Sequence, residues 1–364
     1  MSKQKNSIKI FYELVKAGLW ERSIRISPFE DIDWQEVYQL AGEQSVLGLV
    51  LAGLEHSDVK PPKVLLLQWI GEVQQIEQRN KAMNTFVADL IEKLRMADIY
   101  TLLVKGQGIA QCYERPLWRS SGDMDLYLSE ENYIKAKSFL IPLASSVNEE
   151  DKKKKHLGLT IDSWIVELHG ALPFGISRRV DKVVDETHKE IFFCGNVRTW
   201  MNGKTQVFLP APNCDIIIVF THLLHHFFIE GVGLRQICDW CRLLWVYKDS
   251  LNQGLLESRL RDMGLVSEWK AFASLAVDTL GMPFEAMPFY DLCFRDKGEK
   301  VFRRVLKSGN FGHNNDMSYR TRYSGFTYKI VAVWRRMWDF ASLVPVFPVD
   351  APKFFFTYLF NKAK

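Results

Sequence analysis

Between residues 100 and 128 the chain sets two short apolar runs on either side of a glycine turn, and a pair of aspartates opens the second run. No other segment constrains the fold as strongly. Residues 100–104 read as a strand that runs into Lys105-Gly106-Gln107-Gly108. A short helix over 109–113 follows, and a second strand, 124–128, opens behind Gly122-Asp123. Side chains two apart on a strand share a face. Asp123 and Asp125 therefore stand together while Met124 and Leu126 face the other way. Aspartate is depleted in strand interiors, so two on one face need a reason. Adjacent carboxylates repel unless a cation lies between them, and hard oxygen donors suit Mg²⁺ or Mn²⁺. Glycines let backbone approach closely, and the amides of a helix start attract anions. The combination suggests a metal-bound nucleotide phosphate. The plainer reading is a polar turn in which Asp123 caps and Asp125 is solvated.

A third carboxylate is expected from a neighbouring strand. Residues 156–161 and 164–168 read as a hairpin joined by Asp162-Ser163, and Glu167 lies within its second strand with His169 on the same face. Asp162 is a weaker rival because it sits in the turn. Arg119, four residues before the aspartates, suits triphosphate oxygens by its planar, permanent charge. Pairing with Glu114 is the alternative. His222, His225, Cys238 and Cys241 have spacings compatible with zinc, but the same spacings put them on helical core faces, where cysteine is a small hydrophobe. Arg235 and Asp239 are spaced for a helix salt bridge, and the alternative is that residues 234–239 line a cleft facing the α/β core. No Gly-x-Ser-x-Gly turn marks a serine hydrolase. Gly106-Gln107-Gly108 lacks the third glycine of a dinucleotide fingerprint, and Gly203-Lys204-Thr205 lacks the leading glycine of a P-loop.

Around this segment the pattern is helical. Ile8, Phe11, Tyr12, Val15 and Leu19 recur at helical spacing, with Gly18 as a weak point. A second helix is expected from Val37 to Val50 behind Asp31 or Asp33, and a third from Pro61-Pro62 to about residue 97, roughly 50 Å long. Ser129 is expected to cap a helix over 130–141. Residues 178–195 read as a polar helix and a short strand, and 207–210 as extended. Helices return over 215–228, 234–247, 255–263 and 267–280. The expected organisation is an N-terminal helical region (1–97), an α/β core (98–210) and a C-terminal helical region (211–364). The fold class is α+β or α/β, with a small mixed β-sheet flanked by helices.

The chain has 364 residues, 47% hydrophobic and 25% charged, an ordinary globular balance. Its net charge of +4 does not by itself argue for nucleic acid, and none is expected. The six cysteines are scattered, and the first ten residues are polar and basic without the apolar run of a secretory leader. A reducing cytoplasm is the expected compartment. No uninterrupted apolar run reaches about 18 residues, so no spanning helix is expected. Trp334-Arg335-Arg336-Met337-Trp338 and the aromatic run 353–360 mix aromatic and basic residues, which fits either a helix on a membrane surface or a terminal helix docked on the core.

The run Val104-Lys105-Gly106 … Arg119-Ser120-Ser121-Gly122-Asp123-Met124-Asp125-Leu126 resembles the uncharacterised nucleotidyltransferase family of bacteria, a branch of the DNA polymerase β-like nucleotidyltransferase superfamily. Val166-Glu167-Leu168-His169, the helices holding His222, Leu234-Arg235 and Asp239, and Gly309-Asn310-Phe311-Gly312 also look like that family. The resemblance covers roughly residues 35 to 315. It implies a nucleotidyltransferase core in which Gly106 and Gln107 take the turn position, Asp123 and Asp125 the metal pair, and Glu167 the third acid. Gln107 stands where the superfamily has Gly or Ser, the gap to Asp123 is longer than usual, and the third acid is Glu rather than Asp. The implied reaction moves a nucleoside monophosphate from an NTP such as ATP to an acceptor hydroxyl on a small molecule or saccharide. Mg²⁺ or Mn²⁺ would bind Asp123, Asp125 and Glu167. Lys105, the Gly106–Gly108 amides and Arg119 would neutralise phosphate, and His169 would orient Glu167 or the acceptor. Relatives that resemble this chain often lie beside surface-polysaccharide genes, which is association and not chemistry. The competing expectation is an inactive nucleotide-binding or scaffold protein of the same fold. Replacing either aspartate by asparagine is expected to abolish activity without loss of melting temperature, since the paired carboxylates repel.

Overall fold

Four helices lead the chain: α1 (Ser2–Trp20), α2 (Trp34–Glu43), α3 (Leu47–Glu55) and α4 (Lys63–Met96). The structure is a computed structural model describing residues 2–29, 31–171, 175–229, 231–310 and 325–362. The second expected helix is divided in two. Asp33 caps α2 by accepting from the Glu36 amide, and Ser45, at φ 56°, turns the chain before α3. Gly18 is no weak point. A Cβ there would lie 2.0 Å from the Leu49 carbonyl oxygen, so glycine is what lets α1 cross α3 in backbone contact.

The sheet segment follows as β1 (Leu102–Val104), α5 (Gly106–Ala110), β2 (Met124–Tyr127), α6 (Glu130–Leu140), β3 (Ser146–Val147), β4 (His156–Ile161) and β5 (Trp164–His169). Ser129 caps α6 through the Asn132 amide. The strand order is β1-β2-β5-β4-β3. β2 and β5 run parallel, and the other pairs are antiparallel. Asp162 and Ser163 both take positive φ, 47° and 66°, as a two-residue type I′ hairpin requires. That turn fixes the β4–β5 register, Ile161 to Trp164 down to His156 to His169.

The chain then forms α7 (Arg178–Cys194), β6 (Val197–Asn202) and β7 (Thr205–Pro210). β6 and β7 pair as a separate hairpin. Gly203 at φ 62° makes its turn, so the Gly203-Lys204-Thr205 run is no phosphate loop. The helices α8 (Pro212–Ile229), α9 (Leu234–Tyr247), α10 (Gln253–Met263), α11 (Val266–Ser274), α12 (Arg295–Ser308), α13 (Gly325–Ala341) and α14 (Asp350–Lys362) complete the described chain. Phe311 and Gly312 of the expected turn lie outside the described residues.

The result is a mixed α+β fold, a small mixed five-stranded sheet flanked by helices. Period-2 alternation splits the sheet's two faces. Met124, Leu126, Val166, Leu168 and Leu159 pack with Met83, Val87, Leu90 and Ile91 of α4 in one core. Leu102, Val104 and Tyr127 face a second, larger core shared with α1, α3, α8, α9 and α11. α8 is long and apolar enough to cross a bilayer by length and composition, but most of it is buried in that core. The polar residues of β2 and β5 belong to the α8-facing side, and this places the site between sheet and helices.

Candidate active site

The chain leaves β1 through an unusual turn. Lys105 takes φ 57° and ψ −146°, a region that non-glycine residues rarely occupy, and Gly106 follows at φ 39°. Such strain persists only where surrounding structure enforces it. Here the turn brings the Lys105 amine to 2.8 Å from Asp125 Oδ1 and 3.2 Å from His222 Nε2. The glycine run divides. Lys105 and Gly106 line the cavity. The Gln107 side chain is buried the other way, donating to Asn80 Oδ1 at 2.9 Å, and a Cβ at Gly108 would meet Leu209 at 2.8 Å. Asn80, on α4, also donates to the Leu117 and Arg119 carbonyls at 2.8 and 2.7 Å. Gln107 thus ties the turn to the segment leading into β2.

The parallel register pairs Asp125 with Glu167, so both carboxylates lie on one face, with Asp123 two residues before. Asp125 is buried, and Asp123 stands exposed at the cavity mouth. His169 Nε2 lies 2.8 Å from Asp125 Oδ1 and 3.5 Å from Glu167 Oε2. His156 Nε2 lies 3.2 Å from the same Glu167 oxygen. Charge sorts the three acids. The neighbouring Asp125 charge raises the Asp123 pKa. Burial opposes the Asp125 carboxylate, but Lys105 and His169 outweigh it and hold its pKa below the usual range. Hydrogen bonds from His156 and His169 drive the Glu167 pKa down. Burial alone would lower the pKa values of Lys105 and His169; their acidic partners reverse that, and both stay above their ordinary values.

Helices form the opposite wall of a cavity of about 330 Å³. α8 contributes His222 and His226, whose Nε2 atoms are 3.1 Å apart. Burial, with Lys105 beside it, pushes the His222 pKa well below ordinary. α9 contributes Arg235, Gln236 and Asp239. Arg119 borders the cavity, and its side-chain partner is Asp239 and not Glu114. Its Nε and Nη2 donate to both Asp239 oxygens at 2.7 and 2.6 Å, with the two side chains buried. Asp239 also accepts from the Tyr113 hydroxyl at 2.8 Å. Arg235 donates to the Ser120 carbonyl at 2.8 Å, and Glu114 pairs with Arg242. Both expected local pairs are thus replaced by long-range ones.

The zinc arrangement is not assembled. Cys238 and Cys241 are wholly buried in the core, and burial raises both thiol pKa values. Among the described residues the cluster with metal-ligand spacing is His156, Glu167 and His169. Asp162 stays in the hairpin turn. His156 is the main residue the sequence reading missed. Its position opposite His169 follows from the two-residue turn alone. His226 gave no such signal, because nothing local places α8 over β2.

Oxygen donors of this kind suit a hard divalent cation, but among the described residues the set with metal-ligand spacing is His156, Glu167 and His169 and not the three carboxylates. Three carboxylates share one face, and the raised Asp123 pKa marks a repulsion that a cation would relieve. Such a cation would share Asp125 with Lys105 and His169. Acid-bearing paired strands, with lysine and arginine on the facing elements, suit phosphoryl-group transfer. The model of the family described as uncharacterised nucleotidyltransferase matches residues 30–281, and the chain belongs to that family. Neither curated proteins nor solved structures give a match. By family the chain is a nucleotidyltransferase, with a nucleotide as its substrate.

Proposed function

We propose that the chain transfers a nucleoside monophosphate from an NTP to a hydroxyl of a small molecule or saccharide, releasing pyrophosphate, in the cytoplasm. The observation that carries this reading is the Asp125–Glu167 register with Asp123 on the same open face. Asp123, Asp125 and Glu167 would hold Mg²⁺ or Mn²⁺. When bound, such ions neutralise phosphate charge and acidify the attacking hydroxyl. Lys105, the Gly106 amide and Arg235, which line the cavity, would neutralise phosphate oxygens. Arg119, locked to Asp239, fixes the wall. His169 holds Asp125 and Glu167 in place. The depressed Glu167 pKa suits a ligand and not a proton acceptor, since an effective base titrates near the working pH.

The second reading is a nucleotide-binding scaffold. What favours it is the Lys105–Asp125 ion pair, which already neutralises one carboxylate, and the commitment of Arg119 to Asp239. Titrating labelled ATP, GTP, CTP and UTP with Mg²⁺ or Mn²⁺, alongside pyrophosphate release over a panel of hydroxyl acceptors including saccharides, separates the two. Metal-dependent release with at least one acceptor is expected. Binding without release across the panel would leave the scaffold.

Partner contact through the C-terminal helices belongs to this proposal. On α13 the apolar row Ile330, Val333, Trp334, Met337 and Trp338 is exposed. The charged side turns inward: Arg336 lies over the Tyr358 ring at 5.4 Å, and Arg304 pairs with Asp339 at 3.5 Å. α13 and α14 are also docked, with Phe340 and Phe354 buried against Phe228. A docked helix that presents an exposed row of apolar residues and tryptophans suits a lipid surface. The full chain should float with anionic phospholipid vesicles and the Trp334→Glu/Trp338→Glu variant should not. Equal flotation of the two removes the contact.

A further inference from the structure

We infer that His156, Glu167 and His169 form a binding site for a divalent cation that accepts nitrogen ligands, Zn²⁺, Co²⁺ or Mn²⁺ rather than Mg²⁺. The site deepens the proposed function by sharing Glu167 with it, but its metal chemistry is separate. The β4–β5 register sets His156 directly opposite His169. Their rings stack with centroids 4.8 Å apart and planes 30° from parallel. Both nitrogens converge on one atom, Glu167 Oε2, at 3.2 and 3.5 Å.

Those separations match a coordination sphere. Metal–nitrogen and metal–oxygen bonds of about 2.0–2.1 Å at tetrahedral angles put ligand atoms about 3.3 Å apart. The three ligand atoms all lie within 4.8 Å of one another, a spread that small ring rotations close. Two imidazoles and one carboxylate leave a position open for water or substrate, as catalytic zinc and non-haem iron sites do. Mg²⁺ demands oxygen ligands and dehydrates reluctantly, so the two imidazoles select against it. The His156 and Glu167 side chains are 36% and 27% accessible, so a cation reaches the cluster from solvent. His169 Nε2 also touches Asp125 Oδ1 at 2.8 Å. Placing a cation on His169 would therefore move that hydrogen bond and couple this site to the aspartate pair.

Co²⁺ is the probe, added to the full chain without nucleotide and read by its visible d–d absorption. Wild type should show a low-symmetry Co²⁺ spectrum that excess Mg²⁺ does not remove. His156→Gln should weaken Co²⁺ roughly tenfold or more and change the spectrum, while Asp162→Asn, in the exposed hairpin turn, keeps both. Circular dichroism confirms that each variant folds. Equal Co²⁺ affinity in wild type and His156→Gln, or displacement by Mg²⁺ at matched concentration, would reduce the two histidines to hydrogen-bond donors and overturn the inference. Pyrophosphate release with Mg²⁺ is followed in parallel. Transfer without His156-dependent Co²⁺ binding sinks this site and leaves the function. Co²⁺ binding without transfer does the reverse.

Discussion

Asp123→Asn and Asp125→Asn should each lower metal-dependent nucleotidyl transfer by about 10²-fold or more, yet move stability in opposite directions. Asp123 is exposed, and its carboxylate is repelled by Asp125. Neutralising it relieves that repulsion, so the melting temperature should hold or rise. Asp125 is buried between Lys105 and His169, at 2.8 Å from each. Removing its charge strands a lysine that is only 16% accessible, and breaking such a pair costs about 3 kcal/mol. Repulsion alone would give both variants the same stability, as the sequence suggested. The inward turn of Lys105 is what separates them. Thermal unfolding of the two variants beside a pyrophosphate-release assay checks the pair. Equal stability would mean that Lys105 does not rest on Asp125 in solution. Retained activity in both would remove the acid row from the chemistry.

What the sequence made legible is what short-range rules control. The Asp123–Asp125 face follows from strand alternation, and the β4–β5 register from a two-residue turn. The Ser129 cap and the long α4 follow from local signals as well. What it hid depends on long-range packing. Arg119 lies 120 positions from the aspartate it pairs with, so local spacing offered only Glu114 as an alternative to phosphate. Gln107 sits in a glycine run yet points away from the cavity, because the buried Asn80 on α4 offers a better partner than solvent. β6 was missed because Val197–Asn202 alternates weakly and half its residues are polar. The break between α2 and α3 rests on one left-handed serine. For Arg119 and Gln107 a tertiary contact decided between local choices of similar energy.

The Arg119–Asp239 pair gives the second large effect, and it tests whether the helical half and the sheet half are one unit. Asp239 accepts from both arms of the Arg119 guanidinium and from Tyr113, all from the segment between α5 and β2. Asp239→Ala would leave a buried guanidinium and a half-buried phenol without that acceptor. Such a loss costs about 3–5 kcal/mol, a large share of the roughly 5–15 kcal/mol that holds a domain together. The pair is not expected to be worth that much in itself, because desolvating two charges offsets most of their attraction. Arg119→Met combined with Asp239→Leu should therefore recover most of the stability lost in the single variant. Nucleotide affinity should stay reduced in the double variant, because the wall beside Ser121 loses the guanidinium that donates to its hydroxyl at 2.9 Å. Urea unfolding of the three proteins, with nucleotide titration of each, reads both effects. A single variant within about 1 kcal/mol of wild type, the ordinary range for an exposed pair, would show that α9 is not anchored to the acid-bearing segment through this contact.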